Sequence, residues 1–447
     1  MNSQILIARL ERVPFSRWHL RARIIVGSAT FFDAFDALSL AFVLPVLVPL
    51  WKISSADIGW LIAIGYLGQF AGALIFGSLA ERYGRVRSVA AATAVMSVMS
   101  LACALSGNFA TLLTLRLVQG LGVGGEMPVA AAYINELSKA QGRGRFFLLY
   151  ELIFPIGLMV TGQIGAVLVP TLGWQVMFLI GGIPGLVITL LLLRLPESPR
   201  WLISKGRLAE AAAIIDEIEA STDTRLPAVS DIPASPPTPA VIERSRWSEL
   251  LSNVYRGRTT VVWILWAAAF FITNGLNNWM PTLYNRIYHL SLNESLRAGT
   301  LTNIAQVVLL LVCAFVIDRI GRRRWTIVCF VAGAVLLAAL GSFAAQSVTA
   351  VIVLVTLSYG LVGSVNAVLY LYTPEIYPTR MRAIGTGSAT CWLRLASAAG
   401  PLLVGYLVET RGTVAVFMMF AAAGIIGALA ATQMLETRNR RLEEIAP

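Results

Sequence analysis

The chain contains one loop pattern twice, at a separation of about half its length. The first copy is Gly77-Ser-Leu-Ala-Glu-Arg-Tyr-Gly-Arg-Val-Arg87, and the second is Ala314-Phe-Val-Ile-Asp-Arg-Ile-Gly-Arg-Arg-Arg324. The acid at position 318 of the second copy corresponds to the acid at position 81 of the first, 237 residues earlier in a chain of 447. Each copy separates two long apolar segments, so each is a short basic loop between two membrane helices. A loop repeated at this spacing predicts two similar halves.

The composition indicates a protein that crosses a membrane many times. Hydrophobic residues make up 57% of the chain and charged residues 13%, whereas soluble domains average about 25% charged residues. Apolar segments of about 20 residues, long enough to span a bilayer, recur along the chain. We predict an all-α polytopic membrane protein with twelve transmembrane helices in two six-helix bundles. The predicted parts are an N-terminal bundle at 1–195, a cytoplasmic helical linker at 196–256 and a C-terminal bundle at 257–447.

The net charge of +11 is distributed in a way that indicates membrane topology. Arginine and lysine fall in alternate loops between the apolar segments, and the intervening loops carry few of them. Positive loops face the cytoplasm, so we expect both termini and the linker to be cytoplasmic. The lipid bilayer, and not a nucleic acid, is therefore the expected partner of this basic chain.

Several function classes have no support in the sequence. The four cysteines lie far apart in apolar segments, which excludes zinc-ligand spacing and a disulfide framework. The chain has no phosphate-binding Gly-Lys-Ser/Thr motif, so transport driven directly by ATP is unsupported. We expect no cofactor, no metal site and no enzymatic activity.

The repeated loops are candidates for gating. Gly77 and Gly84 permit close helix packing and a tight turn, and Gly321 is the counterpart of Gly84. Glu81 and Asp318 are expected to accept hydrogen bonds from backbone N–H groups or nearby arginines. A contact of this kind would hold the cytoplasmic side closed. The alternative is that the arginines of these loops only set topology.

A second repeated junction supports the two halves. Glu136 and Arg143 follow the fourth apolar segment, and Glu375 and Arg382 follow the tenth, with the same spacing of seven residues. These four residues are further gating candidates, together with the loop arginines Arg85 and Arg322.

Carboxylates within the apolar segments are candidates for proton coupling. Asp33 and Asp36 lie in the middle of the first segment, where a charge is costly and usually faces a cavity or a partner. One interpretation is a proton carrier or gate, and the other is a static ion pair with Arg116 of the fourth segment. Glu126 and Glu151 could each be a proton site, a partner of a cytoplasmic arginine or a polar tether.

The second half contains candidates for substrate binding. Arg394 has no acid near it in sequence, so its planar guanidinium could hold a carboxylate, or it could pair with an acid on another helix. Asn274 and Asn278 could contact a ligand in a helix broken near Gly275 and Pro281. Two aromatic residues, Trp279 and Tyr284, could stack on a substrate ring or anchor the helix at the interface. Gln163 and Tyr370 are weaker candidates.

These motifs together resemble the major facilitator superfamily over nearly the whole chain. Two further segments contribute to the resemblance in addition to the two loops. They are Pro196-Glu-Ser-Pro-Arg200, which is similar to a segment of sugar porters and organic ion transporters, and Pro374-Glu-Ile-Tyr-Pro-Thr-Arg380. Gly124-Gly-Glu-Met-Pro-Val-Ala130 looks closest to bacterial niacin-type transporters, akin to synaptic vesicle glycoproteins. Asp33-Ala-Phe-Asp36 resembles the signature of aromatic acid/proton symporters. Departures from the superfamily pattern are Glu81 for aspartate and Ala314 for glycine, and Ala34 replaces the glycine of the symporter signature.

The resemblance implies a secondary transporter that works by alternating access. Its implied substrate is a small organic anion, an aromatic carboxylate with nicotinate as the first choice, moved with protons. An arginine in the eleventh helix is associated with anion recognition in organic anion transporters, and Arg394 falls at that place. We expect a monomer in a bacterial inner membrane. Two rival interpretations remain, a porter for sugars or other polar metabolites and a binding protein on this fold that does not transport.

Overall fold

The structure is a computed structural model that describes residues 3–137, 152–222, 247–344, 347–378 and 381–438. Within these ranges it contains helices and no strand. Four predicted site residues lie outside the description. They are Arg143 and Glu151 as a whole, and the side chains of Asp318 and Arg382.

Fifteen α-helices follow one another along the described ranges. A short helix, α1 (Ser3–Arg12), precedes the first half. The first half contains α2 (Arg17–Trp51), α3 (Ser55–Tyr83), α4 (Arg85–Ala104), α5 (Phe109–Leu137), α6 (Ile153–Leu172) and α7 (Gln175–Leu192). The connection contains α8 (Pro199–Ser204), α9 (Leu208–Ala220) and a 3-10 helix (Trp247–Leu251). The second half contains α10 (Arg256–Arg286), α11 (Leu292–Ile320), α12 (Arg322–Ala339), α13 (Val348–Glu375), α14 (Arg382–Thr410) and α15 (Gly412–Thr432), with a π-helical turn (Leu340–Ala344) after α12.

Eleven of the described helices are long and apolar enough to cross a membrane. The twelfth, α5, has 29 residues but carries Arg116, Gln119 and Glu126 within its length. The prediction of an all-α protein with twelve membrane helices is thereby confirmed. Several helices are longer than the apolar runs that predicted them. The 35 residues of α2 correspond to a length of about 52 Å, which exceeds a hydrocarbon core of about 30 Å. A helix of this length extends into the headgroup region.

The two repeated loops have the same construction. Gly84 separates α3 from α4 with φ of 109°, and Gly321 separates α11 from α12 with φ of 96°. A side chain strains the backbone at these angles, and in each loop an added Cβ would also overlap a glutamate carboxylate. That carboxylate belongs to Glu197 at Gly84 and to Glu436 at Gly321. The glycine positions of the repeat are therefore equivalent in three dimensions.

These two glutamates accept the backbone N–H groups of the following helices. Glu197 accepts from Arg85 N at 2.9 Å, and Glu436 accepts from Arg322 N at 3.1 Å. The predicted acceptor Glu81 instead pairs with the Arg85 side chain at 2.8 Å and is largely exposed. Of the two kinds of donor expected for Glu81, the structure shows the arginine side chain. The backbone N–H groups are accepted by glutamates that are distant in sequence.

The loop arginines Arg85 and Arg322 lie beside the junction glutamates Glu136 and Glu375 inside each half. Arg85 pairs with Glu136 at 3.0 Å, and Arg322 lies 3.6 Å from Glu375. Each pair joins elements of one half, so these contacts brace the halves separately and do not connect them. Gly77 does not permit a close packing here, since a Cβ added to it would meet nothing within 4 Å. The packing reason predicted for this glycine is therefore wrong in this conformation.

The halves meet mainly along α3 with α14 and along α6 with α11. At the N-terminal end of α3 the backbones approach closely. A Cβ added to Gly59 would lie 2.9 Å from the carbonyl oxygen of Pro401, and one added to Gly405 would overlap the Ser55 carbonyl. The end of the molecule away from α8 and α9, called the outer end below, is therefore closed along α3 and α14.

Candidate functional site

A cavity of about 130 Å³ lies between the two halves. Its walls come from α2, α3, α5 and α6 of the first half and from α10, α11, α13 and α14 of the second. Most polar side chains in these helices avoid the hydrocarbon, because it offers them no hydrogen bond. Their convergence on one enclosed space makes this cavity the candidate functional site.

Arg394 is the cation of the cavity. It is buried on α14, and its Nη2 donates to the carbonyl oxygen of Gly124 on α5 at 3.1 Å. Its Nη1 lies 3.5 Å from the Thr390 carbonyl of its own helix. Among the described residues its Nε has no partner, and no described carboxylate lies within 4 Å of the guanidinium. Arg394 thus retains N–H groups that could hold an anion.

Asp33 is the acid that faces the same cavity. It is buried on α2, lines the cavity with Arg394 and interacts with it electrostatically. One carboxylate oxygen, Oδ1, has no hydrogen-bond partner among the described residues. Glu126 lies close behind, buried on α5, and its Oε1 accepts from Thr30 at 3.1 Å. Asp33 therefore interacts with Arg394 on one side and with Glu126 on the other.

Asp36 does not reach the cavity. Three residues after Asp33, it is rotated about 60° from it around the helix and faces the interior of the first half. Its Oδ1 accepts from Ser100 at 2.9 Å. Arg116 donates to Gln119 at 2.7 Å and approaches the backbone carbonyl of Asp36 at 3.5 Å. The predicted ion pair between the Arg116 and Asp36 side chains is therefore not formed in the described structure.

The polar wall opposite the acids comes from the second half. Asn274, Asn278 and Tyr370 line the cavity, as the sequence predicted. Asn274 donates to Ser397 at 2.6 Å, and Asn278 donates to the hydroxyl of Tyr66 at 3.1 Å across the two halves. The spacing of the asparagines places both on one face of α10.

Several cavity residues were missed or ranked low. Tyr66 and Tyr359 were not predicted, and Tyr359 donates to Gln306 at 3.1 Å. A tyrosine in an apolar run also suits a membrane interface, so its identity gave no signal. Asn277 also lines the cavity. Like its neighbour Asn278, it is an amide side chain within an apolar segment. The other cavity residues with amide side chains are Gln69, Gln306 and Asn366.

Three predicted substrate-binding residues lie outside the cavity. Trp279 is buried and donates its indole N–H to the Pro401 carbonyl at 3.2 Å, so it packs the closed outer end. Tyr284 is buried two turns beyond Asn278 and does not line the cavity. Gln163 on α6 is exposed on the outside of the bundle. The predicted break in the seventh helix is also absent, because α10 runs continuously past Gly275 and Pro281.

Comparison with known proteins identifies the family of this fold. Residues 26–447 match the family described as "Sugar (and other) transporter". The chain belongs to this family of the major facilitator superfamily. It is 32% identical to the niacin transporter NiaP of Acinetobacter baylyi, over 98% of this chain and 99% of that protein. It is 28% identical to the 4-hydroxybenzoate transporter PcaK of Pseudomonas aeruginosa, over 85% of this chain and 84% of that protein.

Solved structures agree with this fold. The chain is similar to the xylose transporter XylE from E. coli in a partially occluded inward open conformation, with a TM-score of 0.74 and 18% identity. The similarity covers 95% of this chain and 100% of that one. The relatives named here are transporters, and the chain is a multi-pass membrane protein of the same fold.

Proposed function

We propose that this chain is a proton-coupled transporter of a small aromatic carboxylate, with nicotinate as the first candidate. The observation that carries the proposal is Arg394, a buried guanidinium in the cavity between the halves with an N–H group that no described residue uses. Guanidinium and carboxylate match in charge and in planar geometry. The protein would be a monomer in a bacterial inner membrane, with both termini cytoplasmic.

The dimensions of the cavity support a single-ring substrate. An apolar cavity of about 150 Å³ can hold benzene, and this cavity has about 130 Å³. Phe154, Phe270 and Tyr370 contribute aromatic surface to its walls. Niacin and 4-hydroxybenzoate, which two relatives are named for, are both small aromatic carboxylates.

Asp33 is the proposed proton site. Its carboxylate and the substrate carboxylate would compete for the Arg394 guanidinium. Protonation of Asp33 removes this competitor, so a proton and a substrate anion would bind together. In this mechanism coupling arises from charge balance within the membrane, where an unpaired ion is costly.

The number of protons decides how far the substrate accumulates. One proton with one monovalent anion moves no net charge, so only the pH gradient drives uptake. Glu126, beside Asp33, is a candidate for a second proton. A second proton would add about 2.3 kcal/mol for each 100 mV of membrane potential, which is roughly 50-fold in accumulation. Glu126→Gln should abolish such a dependence on potential if this residue carries the second proton.

Alternating access is supported by the contacts between the halves. The outer end is closed by α3 and α14, while the ion pairs described for the loops at the other end stay within one half. We propose that this conformation faces the cytoplasm. Substrate release outward would then require the α3–α14 contact to separate.

Binding and uptake test the proposal together. Purified protein would be heated with nicotinate, benzoate, 4-hydroxybenzoate, nicotinamide or glucose, and proteoliposomes would be assayed for uptake. We expect the carboxylates to raise Tm and nicotinamide and glucose to have no effect. Arg394→Gln should weaken carboxylate binding by at least about tenfold, since a charged hydrogen bond contributes about 1.5–3 kcal/mol. Arg411→Gln, a change at an exposed arginine at the end of α14, is the matched control.

A neutral polar substrate is the second candidate, because one wall of the cavity carries several amides. Asn274, Asn278 and Gln306 offer donors and acceptors that suit hydroxyl groups. Stabilisation by glucose that survives Arg394→Gln would favour this candidate. Ligand binding without uptake in proteoliposomes would instead indicate a binding protein.

A further inference from the structure

A second cavity, which we call the lateral groove, opens on the outside of the second half. It has a volume of about 410 Å³ and lies between α10, α14 and α15. Its lining residues are aliphatic or aromatic apart from Thr260. The indole rings of Trp263 and Trp392 lie 5.7 Å apart on two of its walls.

The lateral groove faces the hydrocarbon of the membrane. Trp392 is 40% exposed and Ile426 is 54% exposed, and both belong to membrane-spanning helices. The small side chains Ala267, Ala396 and Ala423 form its floor and walls where bulkier residues would close it. An apolar groove that is open to lipid fits a flexible acyl chain.

One end of the lateral groove carries positive charge. Thr260, Trp263 and Ala267 line the groove along one face of α10, and Arg256 is one turn before Thr260 on that face. Arg256 is exposed and is the first residue of the helix, and Tyr255 before it provides no side-chain cap. The N–H of Arg256 donates to the Ser252 carbonyl at 2.8 Å, and the helix dipole adds positive partial charge at this end of α10. Arg258 nearby is half-buried and directed to the Ile376 carbonyl at 3.4 Å.

We propose that the lateral groove binds an anionic phospholipid. One acyl chain would occupy the apolar groove, and the headgroup phosphate would contact Arg256 and the first turn of α10. Charge complementarity favours this occupant, because Arg256, on the groove-lining face of α10, lies at the end where a headgroup would lie. This site is separate from the transport cavity and does not depend on the proposed substrate.

Native mass spectrometry would count the lipids that the protein retains. Purified wild-type protein would be exposed to phosphatidylglycerol or phosphatidylcholine with identical acyl chains, then stripped of excess lipid. We expect the wild type to retain at least about fivefold more phosphatidylglycerol, which corresponds to about 1 kcal/mol. Arg256→Gln should reduce this ratio to near one.

Two further variants separate the groove from general charge effects. Arg286→Gln removes an exposed arginine at the opposite end of the same helix and should leave the preference unchanged. Ala267→Leu narrows the groove and should reduce retention of both lipids. The proposal is wrong if the wild type holds the two lipids equally. It is also wrong if Arg256→Gln and Arg286→Gln have the same effect, or if Ala267→Leu retains as much lipid as the wild type.

Discussion

Glu409 accepts the backbone N–H of Ser55 through its Oε1 at 2.7 Å. The same oxygen lies 3.2 Å from the N–H of Ala56, so the carboxylate of α14 satisfies two free donors in the first turn of α3. It also meets the positive end of the helix dipole. Since these helices belong to opposite halves, the contact must break when the outer end opens.

Replacing Glu409 by glutamine should favour opening at the outer end. The amide oxygen is a weaker acceptor and loses the attraction of the charge to the helix dipole, which we expect to cost about 1 kcal/mol. The open population would then rise by roughly fivefold. The measurement is the rate at which an impermeant maleimide labels a cysteine introduced by Thr300→Cys. The background carries Cys391→Ser, because Cys391 is partly exposed while the other three native cysteines are buried. Thr300 is itself buried beside Gly162, where α11 meets α6.

Asp57→Asn is the matched control for this experiment. Asp57 is an acid in the same first turn of α3, but it accepts from Ser54 at 2.7 Å within its own half. Its loss should weaken the helix start without changing the outer contact. Equal labelling rates in Glu409→Gln and the wild type, or equal acceleration in both variants, would contradict a role of Glu409 in closing the outer end.

Asp33→Asn should uncouple substrate binding from pH. In the wild type, nicotinate binding should weaken from mildly acidic to mildly alkaline pH, because ionised Asp33 competes for Arg394. In the variant the amide carries no charge, so binding should stay nearly constant across that range. Exchange of nicotinate across proteoliposomes should persist, while accumulation driven by a pH gradient should be lost. Titration of binding at several pH values, together with the two flux assays, measures these effects.

Asp36→Asn is the comparison for Asp33→Asn. Asp36 is an equally buried acid on the same helix, but it is directed at Ser100 and away from the cavity. Its substitution should leave the pH dependence of binding in place. The competition mechanism would be refuted by a flat profile in Asp36→Asn with an unchanged profile in Asp33→Asn.

The helices were predictable from the sequence because a membrane-spanning helix is recognised from the apolar composition of a single segment. It also identified Asp33, Asn274, Asn278 and Arg394, since a polar residue in an apolar run has few roles other than facing a cavity or partner. Tyr66 and Tyr359 carried no such signal. A tyrosine is compatible with lipid, interface and cavity alike.

Contacts between residues that are far apart in sequence could not be predicted from local sequence patterns. Glu197 caps a helix that begins more than a hundred residues earlier, and the sequence directed attention to Glu81 within the loop instead. Trp279 follows Asn278, and the sequence left two roles open for it, stacking on a substrate ring or anchoring the helix at the interface. One residue along a helix is a rotation of about 100°, and that rotation directs its indole to Pro401.

Gly84→Ala should destabilise the protein, whereas Gly77→Ala should not. Gly84 has φ of 109° and faces the Glu197 carboxylate, so a methyl group would strain the backbone and displace the helix cap. We expect a cost of at least about 1–3 kcal/mol. Gly77 lies inside α3 with open space around it, and alanine there should be neutral or stabilising by about 0.5–1 kcal/mol. Thermal unfolding in detergent compares the two, and a lower Tm for Gly77→Ala than for Gly84→Ala would contradict the prediction.

Glu219 on α9 should hold the N-terminal helix α1 in a pH-dependent way. It accepts from Arg9 and Arg12, each at 2.7 Å. Partial burial acts to raise the pKa of Glu219, but the hydrogen bonds from the two guanidinium groups outweigh it and lower that pKa. A lowered carboxylate pKa contributes stability above its ordinary value of about 4.3, and this stability is lost as the pH falls through the lowered pKa.

Glu219→Gln should therefore release α1 at neutral pH and remove the acid sensitivity of its docking. Two part-buried ion pairs contribute about 1 kcal/mol, so amide hydrogen exchange over residues 3–12 should accelerate by roughly fivefold after correction for the intrinsic pH dependence of exchange. Glu210→Gln is the control, since Glu210 pairs with Arg207 and both are exposed. The apolar contacts of Leu6 and Leu10, both buried, remain in each variant. Unchanged exchange in Glu219→Gln would mean that these leucines and the remaining pair between Arg9 and Asp216 hold α1 without Glu219.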